Sequence, residues 1–227
     1  MSDDVSPSAP RARITAITSG KGGVGKTFVA ANLAAALAAR GQRVLVLDAD
    51  LGLANLDVVL NLVPKVTLHD VFIGARTLDE ALTEVSGGFT VLLAGSGLVE
   101  YSRLTPEVRD KLVETIEAVA PRFDHVLLDT GAGISDVVLY TVSLADAVLM
   151  VATPEPTSMT HAYATIKVLA STQRRRTIQV SSFSAFMVIA GSALAGQRII
   201  EFFGISLASF QVGGGTLLLI SSLAMLN

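Results

Sequence analysis

The chain has 227 residues, a formal net charge of −3 and no cysteine. That length holds one full domain, or a domain and a half. The near balance of charge gives no global bias toward nucleic acid, and the lack of cysteine excludes a disulfide frame, a thiolate zinc site and a cysteine-held iron–sulfur cluster.

In chain order, "MSDDVSPSAPRAR" is polar, Pro/Ser-rich and without an apolar core segment. Residues 1–12 are therefore expected to be a disordered leader, not a signal peptide, with the start of the chain in the cytoplasm. "RITAITS" (Arg13–Ser19) reads as a strand ending at a glycine. "TFVAANLAAALAAR" (Thr27–Arg40) reads as an alanine-rich helix stopped by Gly41. "RVLVLDAD" (Arg43–Asp50) is a strand apolar on both faces, "TLHDVFIG" and "TLDEALTEV" are short helices, and "FTVLLAG" (Phe89–Gly95) is a third strand. "TPEVRDKLVETIEAVA" (Thr105–Ala120) opens a helix with a Thr cap and a Pro at its first position. "FDHVLLDT" (Phe123–Thr130) and "DAVLMVAT" (Asp146–Thr153) are further strands, with helices at "SDVVLYTVSLA" and "TSMTHAYATIKVLAS" (Thr157–Ser171). Apolar strands alternating with helices predict an α/β fold, a mostly parallel sheet covered by helices on both faces.

Gly20–Thr27 fits G-x-x-x-x-G-K-[ST] in full, between a predicted strand and a predicted helix. Gly20, Gly22, Gly23 and Gly25, with Lys21 and Val24 between them, form a loop whose backbone N–H groups turn inward around phosphate oxygens. The helix that follows aims its positive end at the same anion. Lys26 is expected to bridge the β- and γ-phosphates of a bound ATP, and Thr27 to offer its hydroxyl to Mg²⁺. Lys21 is a second lysine at the mouth of the loop. Its side chain is free to reach a nucleotide held by a facing subunit, or else it is an ordinary solvated lysine. Asp48, Asp50 and Asp129 stand at the carboxyl ends of predicted parallel strands, where such sheets bind ligands; helix capping is the alternative, chiefly for Asp48. His69, His125 and His161 lack metal-ligand spacing, and Asp136 is expected to be an N-cap.

"KGGVGKT" resembles the deviant Walker A motif of the MinD/ParA group of P-loop ATPases, and "LDADLGLANLDVVL", "LLDTGAGISD" and "TPEPTSMTHAYATIKVL" resemble its FlhG/FleN branch, which controls flagellar number and placement. The similarity covers about residues 11–172. It implies an ATPase that converts ATP and water to ADP and phosphate, an ATP-dependent homodimer in which Lys21 crosses the interface, and a regulatory protein partner. By the same resemblance Asp50 orients the attacking water, Asp48 holds the Mg²⁺ hydration shell, Asn55 follows the γ-phosphate, and Asp129 binds Mg²⁺ through water ahead of a mobile "TGAG" segment. No nucleic-acid partner is expected. Members of the group continue after the "PEPTS" helix with another strand, and none is legible here, so the ATPase domain (residues 13–176) reads as truncated.

From Thr177 to Asn227 only Arg198 and Glu201 are ionisable, leaving 16 of 17 basic and 19 of 20 acidic residues in the first 176 positions. "TIQVSSFSAFMVIAGSALAG" (Thr177–Gly196) and "FFGISLASFQVGGGTLLLISSLAMLN" (Phe202–Asn227) each reach the ~20 residues of a membrane-spanning helix. The second resembles a segment of the MarC family of integral membrane proteins. Residues 177–227 are therefore expected to be a hydrophobic, helical tail with two candidate spans. Arg174–Arg176 before them would keep the ATPase half cytoplasmic, against the inner membrane. A buried soluble core is the alternative for the tail. A fusion, frameshift or chimera would explain the junction. A defective fragment, or a P-loop kinase acting on a small molecule, are the alternatives for the whole.

Overall fold

The computed structural model describes residues 11–51, 54–95, 104–172 and 178–182. The sequence's leader up to residue 10, the triple arginine Arg174–Arg176 and everything expected of the tail beyond Ser182 lie outside them.

Seven strands form one sheet: β1 (Arg13–Ser19), β2 (Val44–Ala49), β3 (Leu82–Glu84), β4 (Thr90–Leu92), β5 (His125–Ala132), β6 (Ala147–Ala152) and β7 (Ile178–Ser182). Their order across the sheet is β3-β4-β2-β5-β1-β6-β7, and every pairing is parallel except β3 with β4. The helices are α1 (Lys26–Ala38), α2 (Leu56–Leu60), α3 (Leu68–Phe72), α4 (Leu78–Ala81), α5 (Pro106–Val119), α6 (Asp136–Ser143) and α7 (Pro156–Thr172). The alternation of side chains along each strand divides the core in two. Leu45, Leu47, Val126 and Leu128 pack with α5 and α6 on one face, while Val44, Val46 and Leu127 pack with α1 on the other. Strands apolar on both faces are what a doubly covered parallel sheet requires. Removing one fully buried leucine such as Leu128 would cost about 2–5 kcal/mol.

The predicted elements recur with small shifts at their ends. Helix α1 stops at Ala38, and Gly41 follows in the left-handed region at φ 79°. Thr105 caps α5 by accepting from the Val108 N–H, with Pro106 as the first helical residue. Five expectations are corrected. The leader ends sooner, because Ala12 is already buried in the core. "TLDEALTEV" is half helix and half strand: Thr77 and Glu80 form a capping box for one short turn, and the chain then straightens into β3 against β4. Ser135, not Asp136, caps α6 by accepting from the Val138 N–H. Helix α2 was not expected; it is a single turn bounded by Asn55 and by Asn61 at φ 51°.

The fifth correction concerns the far edge. A strand does follow α7: Ile178–Ser182 pairs in parallel with β6, Val148 against Ile178 through Ala152 against Ser182. Its β-branched residues Ile178 and Val180 open an uncharged run, and the lack of charge hid them from a reading based on hydropathy. Residues in this strand cannot also begin a membrane helix. The first candidate span thereby shrinks to Phe183–Gly196, well under the ~20 residues that crossing needs. Among the described residues no helix is long and apolar enough to cross a membrane.

The chain leaves β1 toward β2 through α1 on one face, and leaves β5 toward β6 through α6 on the other. Adjacent strands β1 and β5 therefore send their connections in opposite directions. A crevice opens at their carboxyl ends, the place where open α/β sheets take ligands.

Candidate functional site

Three segments meet at that crevice: Gly20–Thr27 after β1, Asp48 and Asp50 at the end of β2, and Asp129–Gly133 at the end of β5. Gly23 and Gly25 hold the loop's turn at φ 76° and 91°, a region that side chains with a Cβ rarely enter. Val24 between them is buried among the α1-side core residues and anchors the loop from below. Gly22 and Gly23 face open space. Helix α1 begins at Lys26 with no side-chain cap and no acidic residue in its first turn, so its N–H groups and positive end are left to an anion.

Asp48 and Asp129 are cross-strand neighbours in register on β2 and β5, and both are buried. Burial pushes the Asp48 carboxyl up to about 7, and the nearby Asp129 charge adds to the rise against N–H bonds from Leu56 and Asp50. Burial lifts Asp129 to about 6, opposed by the Thr27 hydroxyl and the Lys26 ammonium and reinforced by Asp50. Oδ1 of Asp129 is buried without a hydrogen-bond partner. Two buried carboxylates side by side, one with an orphaned oxygen, beside a threonine hydroxyl, are the donor set of a hard divalent cation. Among the described residues no three His, Cys, Asp or Glu side chains are grouped to hold a metal directly. Mg²⁺ is usually bound by one or two carboxylates together with waters and phosphate oxygens.

Although the N-cap of α2 is Asn55, Asp48 also binds backbone on either side of the site. Its Oδ1 accepts from the Asp50 N–H at 3.2 Å and its Oδ2 from the N–H of Leu56, first residue of α2, at 3.3 Å. It thus ties both ends of the segment between β2 and α2. Asp50 is half-buried, next to Gly131, where a Cβ would come within 3.5 Å of its carboxyl group. Asn55 is exposed at the N-cap of α2, with no side-chain cap bond.

Lys21 is paired with an acid that follows the neighbouring strand β6. Its Nζ donates to Oε2 of Glu155 at 3.0 Å, and the two side chains are 43% and 60% exposed. A pair so exposed is worth at most about 1 kcal/mol, so a stronger partner would displace it. Glu155 was missed at the residue level, although it lies within the quoted "TPEPTS" stretch. His161 meets the site only through its backbone: a Cβ on Gly20 would lie 2.2 Å from the His161 carbonyl carbon, so α7 presses directly on the start of the loop.

The AAA domain family matches residues 12–181, which takes in all but the last residue of strand β7. The chain belongs to the MinD/ParA group of P-loop ATPases. Among its relatives are the antiactivator FleN of Pseudomonas aeruginosa, 47% identical over 69% of this chain and 56% of that protein, and the flagellum site-determining protein YlxH of Helicobacter pylori, 39% identical over 69% and 53%. Both are relatives of the kind that the FlhG/FleN branch comprises. The septum site-determining protein MinD of Pyrococcus horikoshii OT3, solved in complex with Mg-ADP, superposes with a TM-score of 0.61 at 31% identity, covering 74% of this chain and 68% of that one. The chain spans little more than half the length of FleN and YlxH. A second family, the MarC integral membrane proteins, matches residues 141–227. Its first forty or so residues coincide with part of α6 and with β6, α7 and β7, which are built into the ATPase sheet.

Proposed function

We propose that this chain binds ATP with Mg²⁺, hydrolyses it, and switches between monomer and dimer in doing so, to set the number or position of a cellular structure such as flagella. The observation that carries the reading is the pair of lysines. Lys26 begins α1 inside the loop, while Lys21 stands at the mouth, half-exposed and held only by a surface ion pair to Glu155. An exposed, weakly held cation on a phosphate loop suits a nucleotide other than its own, held by a second copy. In this reading Gly20, Gly22, Gly23, Val24 and Gly25 cradle the phosphates through their backbone, Lys26 contacts the β- and γ-phosphates, Asp50 orients the attacking water, and Asn55 follows the γ-phosphate. Thr27, Asp48 and Asp129 would hold Mg²⁺, which neutralises phosphate charge when bound. The relatives support the cellular role: one is an antiactivator and one determines the site of the flagellum.

Two substitutions test the switch. Lys21→Ala is expected to keep ATP but lose ATP-driven dimerisation and turnover, by about 10³–10⁵ if it acts like an arginine finger in trans. Asp50→Ala is expected to bind ATP, lose hydrolysis and accumulate as the ATP-bound dimer. Phosphate release and light scattering read both outcomes, and full turnover by either variant removes that residue from the mechanism.

We also propose that the chain meets the membrane through residues 183–227. With Ile178–Ser182 used by the sheet, the uncharged run Phe202–Asn227 is the one segment long enough to cross. Arg198 and Glu201 just before it would sit at the interface, since at the bilayer centre each costs ~2.5–3.5 kcal/mol. After alkaline carbonate extraction the full chain should stay in the pellet, and a version ending at Phe183 should be released. A full chain that is monodisperse without detergent would show instead that the tail packs as a protein core.

A further inference from the structure

Ser19 is fully buried, yet its backbone carbonyl and its hydroxyl each hold a different segment of the site. Its carbonyl accepts the N–H of Gly133, in the segment after β5, at 2.8 Å. Its hydroxyl donates to the backbone carbonyl of Lys21 at 2.7 Å. Between them Gly20 is clamped, because the space a Cβ would need is filled by the backbone of His161 and Ala162 in α7. Lys21 is therefore the first residue of the loop with freedom to swing, and the hydroxyl of Ser19 fixes the peptide from which it swings. The β1–β5 pairing slips at this point: Ile17 faces Asp129 but Ser19 faces Ala132, so the Gly131–Gly133 segment comes within reach of the Ser19 carbonyl.

We propose that Ser19 is a positioning residue: its hydroxyl aims Lys21 toward Glu155, and through Gly133 it ties that aim to the segment following Asp129. The proposal rests on the reading of Lys21 as the lysine that acts on a second copy's nucleotide. Gly133 has φ 87°, and a Cβ added there would meet nothing within 4 Å, so this residue carries no side chain that packing holds in place. A shift there pulls on the Ser19 carbonyl and is felt at Lys21 two residues on. Without the hydroxyl the Lys21 carbonyl loses its partner, the turn loosens, and the Lys21 amine spends less time on Glu155.

The test is residue-resolved amine labelling of the full-length chain with acetic anhydride, read by mass spectrometry without nucleotide, together with ATP binding and turnover. Ser19→Ala is expected to raise labelling of Lys21 about threefold, in keeping with the small worth of an exposed ion pair, and to leave Lys65, Lys111 and Lys167 unchanged. Turnover should fall about five- to tenfold, the worth of one hydrogen bond, with ATP affinity retained. Ser19→Cys, with a weaker donor of similar size, should fall between. Gly20→Ala is the structural comparator: it pushes α7 off the loop and should lower the melting temperature and expose lysines generally. Ser19→Ala behaving like Gly20→Ala, a Ser19→Cys chain that does not fold, or Lys21 labelling equal to wild type would each overturn the proposal. Because the labelling needs no nucleotide, it decides the tie between Ser19 and Lys21 even where Lys21→Ala leaves turnover intact and the switch reading fails.

Discussion

Lys26→Ala is expected to lose ATP by at least about a hundredfold, since two charge-assisted hydrogen bonds to phosphate at roughly 1.5–3 kcal/mol each disappear together. The position leaves no substitute. Lys26 is the first residue of α1, and its ammonium already helps hold down the carboxyl of Asp129. Lys21, the other lysine of the loop, is paired with Glu155. The N-terminus of α1 and the loop N–H groups would still offer a weak anion site, so a trace of phosphate binding should persist. Calorimetric titration with Mg-ATP reads the loss directly. Affinity equal to wild type would end the phosphate-loop assignment, whatever the fold. A second consequence separates charge from shape. With Lys26 gone, Asp129 loses a cation that favours its ionised form, and its titration should move further up. Lys26→Arg, which keeps the charge on a larger head, should preserve the titration of Asp129 better than it preserves ATP binding.

Much of this site is legible in the sequence. A glycine-rich loop is legible because its chemistry depends on backbone conformation, and only glycine supplies φ 76° and 91° cheaply at Gly23 and Gly25. The apolar strands β2 and β5 were legible because both their faces are buried, which forces unbroken runs of Val and Leu. What escaped the sequence depends on partners far away in the chain. Glu155 pairs with Lys21 across 134 positions, and the acceptor of the Gly133 N–H is the carbonyl of Ser19, 114 positions earlier. Backbone carbonyls carry no sequence signal at all. Helix α2 escaped because a single turn has no periodicity; its marks are the two asparagines that bound it, Asn61 in the left-handed region that asparagine tolerates. Strand β7 escaped for another reason. Five residues of strand were merged into a longer apolar run, and hydropathy alone does not distinguish an edge strand from the start of a membrane segment.

Without nucleotide, the protein is expected to lose stability as pH rises from about 5 to 8, the reverse of the usual acid sensitivity of carboxylates. Asp48 is raised to about 7 and Asp129 to about 6, both above the ordinary 3.8 of the unfolded chain. Between those values the folded protein binds protons that the unfolded chain has released. The stabilisation is complete below about pH 4 and is lost as pH climbs through 6 and 7. At ~1.4 kcal/mol per pKa unit, the rise of Asp48 corresponds to on the order of 4 kcal/mol. Asp48→Asn should remove most of this slope. The amide is neutral at every pH and its oxygen can still accept from Asp50 or from Leu56, though not from both, at a cost of about 1 kcal/mol. The net gain at pH 8 should raise the melting temperature of the nucleotide-free variant by roughly 5–10 °C for a chain of this size. Mg-ATP should reverse the order. A divalent cation stabilises the ionised pair and releases its proton, so the melting temperature gained on adding Mg-ATP should grow with pH in the wild type. It should grow less steeply in Asp48→Asn, where Asp129 alone still titrates above the ordinary carboxylate range. Scanning calorimetry at pH 5, 6.5 and 8, with and without Mg-ATP, distinguishes the outcomes. A variant whose nucleotide-free profile keeps the wild-type slope would show that Asp48 is not the buried acid of this site. A gain from Mg-ATP that ignores pH in the wild type would remove the Asp48–Asp129 pair from the cation's surroundings.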